Sequence, residues 1–241
     1  MGAGRLYLLP AWLADDTDPA AVMPAPVLER IRRIDAFVVE DAKSARRFLA
    51  ACGHPLPLRE IAMAELNEHT PADRVAALLE PALAGRDLGV LSEAGAPAVA
   101  DPGALLVAEA HRRGVAVVPC VGPSSILLAL MASGLEGQRF RFAGYLPAEA
   151  LARRGAIAEL ERRSARDAET QAFIETPYRN DALLADLIST CKAGTRLAVA
   201  ADLTAAGEWI RMDTVEGWRA RPAAPIGKRP AIFLLLACQA T

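Results

Sequence analysis

Aromatic residues are scarce in this 241-residue chain, at 5% against 53% hydrophobic residues overall, so its core is expected to be mostly aliphatic. Positive charge is not in excess either: the formal net charge is −2, which gives no global attraction to nucleic acid and leaves only local patches for that role. No apolar run approaches the roughly 20 residues of a membrane span. The N-terminus lacks a basic stretch followed by an apolar one, so no signal peptide is expected. Cys52, Cys120, Cys191 and Cys238 are scattered with no C-x-x-C, and His54, His69 and His111 are equally dispersed. That spacing predicts reduced thiols acting as small buried hydrophobes, and no structural or catalytic metal. No G-x-G-x-x-G and no G-x-x-x-x-G-K-[ST] is present, which argues against a dinucleotide or P-loop nucleotide site.

What the chain does carry is concentrated between Leu88 and Ser133. An apolar run, Leu88–Leu91, ends in a loop rich in small residues, 92–103. A helical pattern over 104–113 follows, stopped by Gly114. A second apolar run, 115–118, leads into a second small-residue loop, 119–125, and another helical pattern over 126–133. Strand, loop, helix, repeated, is the alternation of a parallel α/β sheet, and open parallel sheets take ligands at the carboxyl ends of their strands.

The same alternation extends toward the N-terminus. Arg5–Leu9 reads as a strand ended by Pro10, and 27–34 as a helix with apolar residues at helical spacing. A short strand, 36–39, runs into Glu40-Asp41 and a helix over 42–51. The acidic pair suits a helix N-terminus, where the dipole favours it, and equally a carboxylate presented to a substrate. A weak strand is expected over 58–63, then the polar loop 65–71, ELNEHTP, in which Thr70 before Pro71 reads as a helix N-cap for 73–84. Beyond Ser133 the strands become irregular: 140–146, 171–175, 196–201, 208–213 and 230–237, the last two resembling a hairpin. Helices are expected over 151–166 and 181–188. The first of these carries Arg153, Arg154, Arg162, Arg163 and Arg166 beside Glu159 and Glu161, which reads as a solvated, charge-laced face or as a basic patch. The pattern predicts two α/β domains, 1–119 with a mostly parallel sheet flanked by helices, and 120–241 with a mixed sheet.

The loops SEAGAPAVADPG and VPCVGPSS resemble those of the tetrapyrrole methylase family, and most closely those of its ribosomal RNA members, which read roughly S-D-A-G-T-P-x-x-x-D-P-G and then V-x-P-x-P-G-P. Similar stretches recur at Glu40-Asp41, at the polar loop around Asn67, at the strand before GYLP, at FIETPYR and at Asp202-Leu203-Thr204. The chain departs from the pattern at PAWLAD after the first strand, at Ala96 where many members have Asp, and at Glu93 where the RNA enzymes have Asp.

The resemblance implies the family's two-domain fold, with S-adenosylmethionine held in a cleft between the domains. It implies cofactor contacts from Leu13, from Gly95, Ala96 and Val99, from Ser124 and Ser125, from the strand-end positions Ile174 and Ala201, and from Pro230 and Ala231 near the adenine. Methyl transfer is an in-line displacement that chiefly requires alignment, and a hydroxyl acceptor also gains from a proton acceptor. Glu40 and His69 are candidates for that role, with Asn67 orienting the substrate. A cytoplasmic homodimer is expected, acting on ribosomal RNA by 2′-O-ribose methylation. The alternatives are a small-molecule, tetrapyrrole-like substrate and a non-catalytic cofactor-binding protein. The C-terminus at Thr241 is expected to leave no room for a further RNA-binding tail.

Overall fold

Two separate five-stranded sheets organise the chain in a computed structural model that describes residues 3–67 and 69–238. Unit 1 is Met1–Ser124 and unit 2 is Ser125–Thr241.

Unit 1 contains β1 (Arg5–Leu8), α1 (Pro19–Val22), α2 (Ala25–Arg33), β2 (Ala36–Val39), α3 (Ala42–Ala51), β3 (Ala62–Glu65), α4 (Ala72–Val75), α5 (Glu80–Leu83), β4 (Leu88–Leu91), α6 (Gly103–Arg112) and β5 (Ala116–Pro119). The strands are all parallel, in the order β3-β2-β4-β1-β5. β2 and β4, AFVV and LGVL, are buried at every position, as strands covered on both faces must be. Successive side chains feed opposite faces: Tyr7 and Phe37 join Ile31, Phe48 and Leu49 of α2 and α3. Leu6 and Val38 join Leu79, Leu106 and Ala110 on the other face.

Three expectations change here. The helix foreseen over 73–84 is broken into α4, a 3-10 turn at Ala76–Leu79, and α5. Pro81 causes the break, since it lacks an N–H and its ring excludes the carbonyl one turn earlier. Thr70 is not the cap: Pro71 occupies that position, and the Thr70 hydroxyl accepts the Asn67 N–H instead at 3.0 Å. The weak strand begins at Ala62, after a turn in which the Glu60 N–H meets the Pro57 carbonyl.

Unit 2 contains α7 (Ser125–Ser133), β6 (Phe140–Tyr145), α8 (Ala150–Asp167), β7 (Thr170–Ile174), a 3-10 turn (Pro177–Arg179), α9 (Asn180–Thr190), β8 (Arg196–Ala201), β9 (Trp209–Thr214), α10 (Val215–Ala220) and β10 (Ala231–Leu236). Its order is β6-β7-β10-β8-β9, with β6 and β7 parallel and the remaining pairs antiparallel. The last two strands are therefore not a hairpin. β9 pairs with β8, and β10 inserts between β7 and β8. Composition explains the choice: AIFLLL is apolar on both faces and is buried throughout, whereas WIRMDT alternates and lies at the edge. Phe173 and Phe233 stack across the centre at 6.1 Å, and the Trp218 indole N–H donates to the Leu197 carbonyl at 2.9 Å. Trp218 lies on α10, an element the sequence reading did not foresee.

α8 does carry a solvated, charge-laced face, where Arg162 and Glu159 pair in the open, but two of its charges lie elsewhere. Arg153 is buried and pairs with Asp186 at 2.6 Å, with Arg154 3.6 Å from the same carboxylate. Glu161 is buried too, accepting from the Thr195 hydroxyl at 2.5 Å and from the Lys192 N–H at 2.8 Å. Arg162, Arg163 and Arg166 pair with Glu159, with Asp167 and Glu169, and with Asp167. Of the cysteines, Cys52 and Cys191 are buried, Cys120 is half-buried, and Cys238 is exposed. Among the described residues no helix is long and apolar enough to cross a membrane, and no group of three or more His, Cys, Asp or Glu is placed to hold a metal ion.

Candidate functional site

In unit 1 the carboxyl ends of the parallel strands converge on three loops. The loop after β1 is tied to the loop after β4 by an isolated bridge: the Ala11 N–H donates to the Gly95 carbonyl at 2.9 Å, and the Gly95 N–H to the Ala11 carbonyl at 3.2 Å. Gly95 holds φ +73, and a Cβ placed there would lie 3.2 Å from Leu13 Cδ2 and 3.7 Å from the Pro123 carbonyl oxygen. Leu13, Gly95 and the loop after β5 thus meet at one point. Gly122 faces Pro10 so closely that an added Cβ would lie 2.5 Å from the proline Cβ. Ala96 beside this junction is half-buried, Val99 is exposed, and Ser124 closes the unit.

The loop after β4 is held by a carboxylate that the sequence reading did not single out. Asp101 accepts the N–H groups of Ala98 and Gly103, at 2.9 and 2.7 Å through Oδ1, and so supports Ala98 and Ala100 at φ 66 and φ 64. Non-glycine residues enter that left-handed region at a cost, and here the carboxylate offsets it. Burial pushes the Asp101 carboxyl up, with Glu40 adding to the effect and the two N–H donors opposing it. The signal for Asp101 lies in the ADPG segment, a carboxylate just before the start of α6 at Gly103.

Glu40 lies at the end of β2 and lines a pocket with Ser92, Asp101, Leu66 and Val90. Its Oε2 accepts the Glu93 N–H at 3.1 Å. Asp41, its neighbour, is the N-cap of α3 and accepts from the Ser44 N–H at 2.7 Å, so the acidic pair divides between pocket and cap. Asn67 follows β3 on the adjacent loop, where the Leu66 N–H still donates to the Val39 carbonyl. Its side-chain oxygen turns back to accept the His69 N–H at 3.0 Å, and this turn is its visible task. His69 itself is exposed.

Glu93, although exposed at its surface, is pushed above its ordinary 4.5, first by partial desolvation and then by Glu40 and Asp41, with Arg47 opposing. A carboxyl whose folded pKa is raised favours folding while protonated and opposes it once charged, so stability declines as pH rises through the folded value. Glu93→Gln is therefore expected to raise the melting temperature at pH 7, by a margin that shrinks on acidification and disappears well below 4.5. The main-chain N–H that meets Glu40 is untouched by the change. Thermal unfolding across pH measures this, and equal melting temperatures at pH 7 would refute it.

In unit 2 the strand-end positions Ile174 and Ala201 and the segment Pro230-Ala231 lie at one end of the three interior strands. β10 runs antiparallel to β7 and β8, so its start adjoins their ends: Ile174 pairs with Ile232, and Ala201 pairs with Ala231. The Asp202 N–H donates to the Pro230 carbonyl at 3.0 Å. Asn180, fully buried, holds the approach to β10 by donating to the Gly227 and Arg229 carbonyls at 3.1 and 2.7 Å, and Asp181 accepts the Ile226 N–H at 2.7 Å. Ser125 stands at the first position of α7.

A family model described as tetrapyrrole (corrin/porphyrin) methylases matches residues 20–217. Proteins named ribosomal RNA small subunit methyltransferase I are similar over most of the chain. That of Xylella fastidiosa is 34% identical over 207 residues, covering 86% of this chain and 72% of the relative. That of Vibrio cholerae is 30% identical over 210 residues, covering 87% and 68%. Among solved structures, the methyltransferase CobJ superposes with a TM-score of 0.62 at 18% identity, covering 98% of this chain and 95% of that one. Uroporphyrin-III-C-methyltransferase from Thermus thermophilus gives 0.51 at 19% identity, covering 97% and 92%.

Proposed function

Because the chain belongs to the tetrapyrrole (corrin/porphyrin) methylase family, it is a methyltransferase, and we propose that it methylates a ribose 2′-hydroxyl of small-subunit ribosomal RNA in the cytoplasm, with S-adenosylmethionine as donor. The observation that carries the substrate is the name shared by relatives at 30 and 34% identity across most of the chain.

The residues present fit the donor. S-adenosylmethionine supplies an electrophilic methyl on a cationic sulfonium and leaves as a neutral thioether. The unit 1 edge offers carboxylates at Glu40, Glu93 and Asp101, which suit a cation, and Gly95 with Ala96 puts little side-chain bulk on the loop. Leu13 over Gly95 supplies an apolar contact, and Val99, Ser124 and Ser125 are assigned to the donor by the family resemblance. In unit 2, Ile174, Ala201, Pro230 and Ala231 present main-chain groups and small apolar side chains suited to a purine.

A 2′-hydroxyl ionises far above neutral pH, so a positioned acceptor speeds its attack. Glu40 fills that role best, because it lines the pocket and the Glu93 N–H fixes its orientation. Asn67 shapes the neighbouring loop through its turn.

S-adenosylhomocysteine is expected to bind with roughly micromolar affinity, about −8 kcal/mol, in calorimetry. Labelled methyl from S-adenosylmethionine is expected to enter small-subunit RNA and to leave one alkali-resistant linkage, since a blocked 2′-oxygen cannot attack its phosphate. Absence of binding heat with either compound would end the reading, and label entering only a tetrapyrrole would replace the substrate.

A further inference from the structure

We infer that the edge of unit 2 at the ends of β6 and β7 is a single-stranded RNA-binding surface, on which Tyr145 and Tyr178 stack unpaired bases and Lys228 meets a phosphate. This rests on the ribosomal RNA reading above.

The chain has 12 aromatic residues, as 3 Trp, 3 Tyr and 6 Phe. Among those described, only Tyr145 and Tyr178 are more than half exposed, at 63% and 79%. Both stand at the same edge. Tyr145 ends β6, where it pairs with Ile174 after a register irregularity that begins at Phe142. Such irregularities re-aim side chains. Tyr178 lies on the 3-10 turn that follows β7. Arg179, next to Tyr178, lies close to Tyr145.

The cations at this edge divide by partner. Arg179 is held by the buried carboxylate of Glu175 at 2.6 Å, and Arg229 lies 3.7 Å from Asp202. Lys228 is exposed, and its ammonium sits 4.9 Å from the Tyr178 ring centroid. No carboxylate pairs with Lys228 among the described residues. No other Phe, Tyr or Trp ring among the described residues is as exposed, Phe140 coming next at 38%. Two exposed tyrosines beside an unneutralised ammonium match the chemistry of a flexible nucleic-acid strand, where aromatic faces take bases and cations take the backbone. The arginines of α8 suit this less well, because each already lies against a carboxylate.

The test uses the full chain and a fluorescent single-stranded fragment of small-subunit ribosomal RNA, with anisotropy read from 50 to 300 mM salt. Tyr178→Ala and Tyr145→Ala are each expected to weaken RNA binding by about tenfold with no change in salt slope. Tyr178→Phe should bind as the wild type does. Lys228→Ala should flatten the slope of log affinity against log salt by about 0.7, the loss of one phosphate contact. S-adenosylhomocysteine affinity should stay within about twofold in all four variants. If the wild type binds RNA and the alanine variants bind within twofold of it, this inference fails and the substrate reading stands. If the wild type binds no RNA at any salt, both fall together. Loss of S-adenosylhomocysteine affinity would assign the rings to the cofactor, and a halved mass by light scattering would assign them to a second copy of the chain; either overturns the inference.

Discussion

Glu40→Gln is expected to lower turnover on small-subunit RNA at least ~10²-fold while leaving S-adenosylhomocysteine affinity within about threefold, or ~0.6 kcal/mol. The two carboxamide and carboxylate side chains have nearly the same shape. A glutamine oxygen can still accept the Glu93 N–H that now meets Glu40 Oε2 at 3.1 Å, so the loop keeps its anchor. What is lost is a group able to take a proton at neutral pH. Pocket and charge argue for Glu40 over His69, which is exposed and whose main-chain N–H, rather than its ring, makes the bond to Asn67. His69→Ala keeps that N–H and serves as the comparison. A hundredfold loss in His69→Ala with normal turnover in Glu40→Gln would move the acceptor to His69. Loss of cofactor binding in Glu40→Gln would instead place Glu40 against the donor.

Arg153→Ala is expected to be among the most destabilising single changes in unit 2, by about 3 kcal/mol. The side chains of Arg153 and Asp186 are only 6% and 12% exposed, and the guanidinium also donates to the Ala148 carbonyl at 2.8 Å. Removing it strands Asp186 in a dry site with Arg154 at 3.6 Å as its remaining counter-charge. The loss is chiefly the cost of a buried carboxylate left with only the longer, half-exposed pair to Arg154. Replacing both partners, Arg153→Met with Asp186→Leu, is therefore expected to recover most of it. Urea unfolding decides the matter: a single variant within 1 kcal/mol of wild type, or a double variant no better than the single, would contradict this account.

Much of unit 1 was legible because it obeys local rules. Ala36–Val39, Ala42–Ala51 and Leu88–Leu91 appear with the boundaries their patterns indicate. Parallel strands buried on both faces write themselves as apolar runs, and helices between them keep their own period. The reading failed where a residue acts on distant chain. Pro81 interrupts a helix whose apolar spacing is intact. Arg153 and Glu161 read as surface charges because their partners, Asp186 and Thr195, lie some 30 residues on. Asp101 was passed over since nothing in its type distinguishes a carboxylate that holds backbone from one that faces solvent. The two small-residue loops stand out only by family resemblance, since composition alone reads them as tight turns.

The placement of β10 also orders the making of unit 2. Residues 231–236 form the middle strand of a sheet whose other four strands precede them in the chain. As the polypeptide emerges from a ribosome, β6 can pair with β7, and β8 with β9, but the two halves have no common partner. The facing edges of β7 and β8, with Phe173 and Val199 between them, stay unpaired until the final strand arrives. Pairing across that many intervening residues is slow compared with hairpin closure. The nascent second unit is thus a pair of open ribbons, with its sticky edges exposed, for the whole time needed to synthesise the stretch from Thr214 to Leu236.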